Sequence, residues 1–203
     1  MIRRRCAFLF VLLTGFLDAS LPVSAQILNQ DQEIQVHDLP MLMAHSHDPG
    51  DVLLTSLDTI FHDKEICCGR DSALVDSVQT ADPTSLKSIA AKLDGRHLLS
   101  DGRPIKVTAE YLTPDAVNAG LVLGRIMKQH AALMMWKDHL YVVYGAVFVW
   151  NEDSQGTKTL YLHKLLLWDT RYFDSRRAVI FDREKEDPGS VQGLLFAQVE
   201  PND

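Results

Sequence analysis

The feature that most constrains this chain is a change of hydrophobic period near His130. Downstream of it, residues 131–136, 140–150, 160–168, 178–181 and 194–199 are short runs rich in Val, Leu, Tyr, Phe and Trp, separated by polar or Gly-containing turns. That is the pattern of strands in an antiparallel sheet. Upstream, the spacing is helical. Leu53, Leu54, Leu57, Ile60 and Phe61 follow one helix face within 51–61, and a second helix is expected over 69–78 with Ala73, Leu74 and Val78 inward. A third opens with Asp82 as N-cap and Pro83 at its first position, carries Leu86, Ile89, Ala90 and Leu93 as its stripe, and ends at Gly95. Residues 100–104 read as a turn, and Thr113-Pro114 starts a fourth helix reaching about Gln129. Helices followed by antiparallel strands predict an α+β domain, an N-terminal helical part packed on a C-terminal sheet.

The first 25 residues are set apart from that domain. Arg3, Arg4 and Arg5 precede an apolar run over 6–17 that ends in Val23-Ser24-Ala25. This is the charged, apolar, small-residue order of an export signal. The run is too short for a hydrocarbon core that needs about 20 residues. Cleavage after Ala25 is expected, giving a secreted or periplasmic product with no membrane attachment. Residues 26–50 then form a leader, polar and loose over 26–35, and 51–203 form one domain. The signal carries three Arg and one Asp, so its loss takes the formal charge from −7 to −9. So acidic a chain is not expected to bind nucleic acid or an anionic membrane.

Cys6 leaves with the signal, which keeps Cys67 and Cys68 as the mature thiols. Neighbouring cysteines close no useful loop and cannot staple a fold. Cys68 directly precedes the helix expected from Gly69, where unpaired amide N–H groups and the helix dipole favour an anion, and a thiol there is biased toward thiolate. His139 and Asp169 follow in the apparent hairpin whose turn lies in 151–157. A register symmetric about residue 154 puts them opposite each other, so that the carboxylate orients the imidazole. A one-residue slip would break the pair.

Cys68-Gly69 with Ala73-Leu74, then His139 ahead of an apolar strand ending Tyr144-Gly145, then Trp168-Asp169, resembles the papain-like cysteine peptidases that process bacteriocin leaders. The resemblance spans residues 51–172. It implies a papain-like fold and cysteine-dependent hydrolysis or acyl transfer at an amide bond of a peptide or protein, with Cys68 as nucleophile, His139 as base and Asp169 as orienting group. No cofactor or metal is implied. The family's oxyanion-hole Gln lies several residues before the Cys. Here no Gln occurs between Gln35 and Gln79, and His62, six residues before Cys68, is the candidate donor. Thr170 stands where the family tends to have Pro. Transglutaminases share the Cys, His, Asp order, but the 71 residues from Cys68 to His139 are long for them. The alternative is a non-catalytic exported binding module on the same scaffold.

Other polar residues have plainer readings. His45, His47, Asp48 and Asp51 lack a recognisable third metal ligand and read as a turn and helix cap. Trp136, Tyr141, Tyr144, Phe148 and Trp150 read as sheet packing, His130 and His163 as structural residues, and 182–187 as a solvated loop.

Overall fold

The computed structural model describes residues 31–61 and 72–201, so the segment read as an export signal lies outside the described residues. Eight strands are described: β1 (Gln32–Gln35), β2 (Gly95–Leu98), β3 (Pro104–Leu112), β4 (Ala132–Trp136), β5 (His139–Glu152), β6 (Lys158–Trp168), β7 (Ala178–Asp182) and β8 (Val191–Pro201). Four helices accompany them: α1 (Pro49–Phe61), α2 (Ser72–Gln79), α3 (Leu86–Leu93) and α4 (Ala119–Met127). All strand pairs are antiparallel in one sheet of order β2-β3-β8-β4-β5-β6-β7, so the chain is α+β.

The sheet begins earlier than the periodicity suggests. β2 and β3 form a hairpin around the turn at residues 99–103, within a half of the chain that reads as helical. Ile105 and Val107 are buried while Lys106 and Thr108 are exposed, the period-2 alternation of a strand with one face on the core. β1 arises from the stretch read as loose. Its backbone pairs with residues 145–148 of β5, and the Asp31 carboxylate accepts hydrogen bonds from His163 Nδ1 at 3.0 Å and Lys164 Nζ at 3.4 Å. β4 occupies the same edge of β5 at residues 139–143, so β1 and β4 lie end to end along it.

The helix starts obey capping chemistry, with two shifts from expectation. Asp82 accepts from the Thr84 N–H and caps a separate turn, while α3 opens at Ser85, whose hydroxyl accepts from the Ser88 N–H. Thr113-Pro114 opens only a 3₁₀ turn, Pro114–Ala116. α4 begins after Asn118, whose side chain accepts from the Leu121 N–H at 2.9 Å.

Helices cover both faces of the sheet. Adjacent residues of a strand point to opposite faces. Met135 shares a niche with Pro49 and Val52 of α1, whereas Met134 lines a cavity with Pro114 and Val117 on the approach to α4. This double cover explains why all five residues of β4 are buried.

Gly145 permits the close approach of β1. A Cβ there would stand 2.9 Å from both the Ile34 carbonyl oxygen and Leu166 Cδ1. Gly145→Val should therefore cost about 1–3 kcal/mol of stability. Hydrogen exchange should show protection lost first at Gln32–Gln35; unchanged protection there would contradict the packing.

Candidate functional site

The Lys137-Asp138 turn between β4 and β5 has both residues at positive φ, 50° and 60°, the type I′ geometry that matches sheet twist, and it places His139 at the first position of β5. The β5–β6 hairpin pairs antiparallel as the strand pattern predicts, but its register differs from the symmetric one. Glu152 pairs with Lys158 and Val142 with Trp168, so the turn is centred on Gln155 rather than residue 154. Irregularities at Tyr144 on β5 and His163 on β6 offset each other. Extended past Trp168, this register sets Tyr141 opposite Asp169 and His139 opposite Arg171.

Arg171 consequently occupies the place expected for a direct carboxylate–imidazole contact. Its Nε donates to Asp169 Oδ1 at 2.8 Å, its Nη2 to Oδ2 at 2.5 Å, and its backbone N–H to Oδ1 at 3.0 Å. Its Nη1 donates to His139 Nδ1 at 2.8 Å. A guanidinium has no acceptor, so Nδ1 is the accepting nitrogen and the proton of the neutral ring resides on Nε2. His139 and Asp169 are thus brought together through Arg171 and not in direct contact, which corrects the sequence expectation. The ordering of imidazole by carboxylate is replaced by a three-member chain of carboxylate, guanidinium and imidazole.

The electrostatics follow from burial. The Asp169 side chain is 4% exposed and that of Arg171 15%. Asp169 holds the Arg171 guanidinium above its ordinary range through the paired hydrogen bonds, against the opposing effect of burial. Burial pushes the Tyr141 phenol up, with the Asp169 charge adding to the effect, so Tyr141 is a neutral packing group against Trp136.

Beside His139 lies a niche of about 60 Å³ bordered by His47, Pro49, Val52, Asp138 and Arg171. At roughly 30 Å³ per liquid water it holds about two waters, far less than a peptide. On its outer side Tyr172 meets His47 edge to face, with ring centroids 5.5 Å apart, and lies under the Arg176 guanidinium at 4.3 Å. Asp48 accepts from the Gly50 N–H at 2.9 Å and Asp51 from the Ser46 N–H at 2.5 Å, the turn and cap roles expected of them. Cys67, Cys68 and His62 lie outside the described residues.

Arg171 is the residue that sequence reasoning missed, although a local pattern announces it. Asp101/Arg103, Asp169/Arg171 and Asp174/Arg176 share the spacing Asp-x-Arg, and in each the Asp side chain accepts from the Arg backbone N–H and from Nε. The motif is a self-closing fork; only at Asp169 is the carboxylate buried.

Removing one partner of a buried pair leaves an uncompensated charge. Arg171→Ala should cost about 3–5 kcal/mol in urea denaturation, whereas Arg176→Ala, at an exposed pair, should change stability by less than about 1 kcal/mol. Equal effects would show that the Asp169 pair is not the anchor of this loop.

Comparison with known proteins gives no match to any family model, to any curated protein sequence or to any solved structure.

Proposed function

We propose that this chain is an exported, non-catalytic binding module, secreted or periplasmic, on the papain-like scaffold that its cysteine, histidine and aspartate pattern resembles. The observation that carries the reading is the Arg171 guanidinium between Asp169 and His139. A cysteine peptidase needs an imidazole whose free lone pair takes the thiol proton, and a carboxylate on the other nitrogen to stabilise the imidazolium that forms. Here Nδ1 accepts from Arg171, and both oxygens of Asp169 are engaged by the same guanidinium, so the carboxylate does not reach the ring. Nε2 already carries the ring proton. The binding partner is a peptide or protein, consistent with an acidic mature chain ill suited to nucleic acid or anionic membrane.

One observation favours the second reading, a cysteine-dependent amide hydrolase or acyltransferase with Cys68 as nucleophile, His139 as base, Asp169 as orienting group and His62 at the oxyanion. His139 is solvent-exposed at the start of β5 and borders the niche at the N-terminal end of α1. That chemistry requires Arg171 to swing aside so that Asp169 takes His139 Nδ1.

Alkylation of the mature protein, its start at Gln26 first verified by N-terminal sequencing, separates the two. The binding-module reading predicts that Cys68 reacts with iodoacetamide as an ordinary thiol and that His139→Ala changes the rate by less than about twofold. A Cys68 rate raised at least about tenfold at pH 7, and lost in His139→Ala, would establish the hydrolase instead.

A further inference from the structure

We propose that the cavity between β4, β6, β7, β8 and the 3₁₀ turn Pro114–Ala116 binds a zwitterion with an apolar body, of the class of a short apolar peptide such as Leu-Leu. The cavity measures about 380 Å³. That is room for about a dozen waters. It also falls within the roughly 300–1,000 Å³ range of small-molecule sites.

The interior of the cavity is apolar. Met134, Leu162, Leu165, Phe181 and Leu194 line it, and each is at least nine-tenths buried, so these side chains offer an occupant hydrocarbon. Burying two aliphatic side chains there removes apolar surface from water on both partners. Val117 and Val191 are half-buried at the edge, and Asp115 and Arg183 are exposed, so the cavity opens to solvent on that side.

The charges at that opening select the ligand. Three ionised groups line it: Asp115, Arg183 and Glu186. Glu186 is already compensated by Lys137 Nζ at 2.8 Å. Asp115 and Arg183 form no ion pair with any described residue, and although they line one cavity they do not pair with each other. A carboxylate and a guanidinium that have no ion partner among the described residues, both lining this cavity, complement the ammonium and carboxylate of a zwitterion. A fatty acid or an alkylammonium would satisfy only one of them. Arg183 suits the carboxylate because its planar fork donates to both carboxylate oxygens.

This inference does not rest on the reading of Cys68, since the cavity shares no lining residue with the niche beside His139. Thiol labelling can therefore fail or succeed without affecting it.

Isothermal titration of the mature protein with Leu-Leu, Leu-Leu-amide, N-acetyl-Leu-Leu and decanoate tests it. Saturable binding of Leu-Leu is expected, with each blocked peptide about tenfold weaker or more, the loss for one charged hydrogen-bonded contact. Arg183→Gln should abolish the preference for Leu-Leu over its amide, and Asp115→Asn the preference over the N-acetyl form. Both substitutions lie on exposed side chains, so folding is preserved, which an unchanged melting curve verifies. Val117→Trp should block Leu-Leu by filling the mouth. Absence of Leu-Leu binding, equal binding of blocked and free peptides, tighter binding of decanoate, or full binding in a folded Val117→Trp variant would each overturn the proposal.

Discussion

A buried carboxylate at the end of β6 must be paired, and the way Asp169 is paired organises this part of the molecule. A lone ionised carboxylate away from water is costly, and a two-pronged guanidinium is among the few partners that satisfy both oxygens in one plane. Arg171 does so from two residues away, turning the chain back on itself directly after the strand. The turn is then tied in from several sides. Thr170 shares a hydrogen bond with buried Ser56 of α1 and accepts from the Ala44 N–H at 2.9 Å. The Asp169 N–H reaches the Arg177 carbonyl at 2.8 Å, and buried Arg177 donates to the Leu42 carbonyl at 2.7 Å with its guanidinium over Trp168. The fork thus joins the end of β6, helix α1 and the segment ahead of that helix.

The chemical consequence is a matter of which group reaches His139. A carboxylate on Nδ1 would accept a proton from that nitrogen, whereas a guanidinium donates to it and leaves the ring proton on Nε2. One residue in the space between two others therefore replaces a carboxylate–imidazole contact with one that fixes the opposite tautomer. The resemblance to papain-like peptidases rests on residue types and their order, and order does not say which side chain stands between two others.

Much of the fold was legible because burial writes itself into sequence as periodicity. The five downstream strands stand out since β4 and most of β5 are covered on both faces and read as continuous apolar runs. β2 and β3 were hidden by a short strand and by a Lys/Thr-bearing alternation that sits directly after a well-marked helix. β1 could not be read at all from hydrophobicity, because its four residues are Gln, Glu, Ile and Gln and its hold on the sheet is backbone pairing plus the Asp31 contacts. The hairpin partners of β5 and β6 were identifiable, yet the register was off by two positions. A centre placed one residue away in a turn shifts each pair by two, which preserves the face and exchanges Asp169 for Arg171 opposite His139.

What remains decisive is the proton on His139. Long-range ¹H–¹⁵N correlation spectra distinguish the two imidazole nitrogens directly. The ring proton of His139 is expected on Nε2, with Nδ1 unprotonated and hydrogen-bonded to Arg171, and that tautomer bias is expected to be lost in Arg171→Ala. A ring carrying its proton on Nδ1 would mean that Asp169 and not Arg171 is the partner of His139, and would contradict this arrangement.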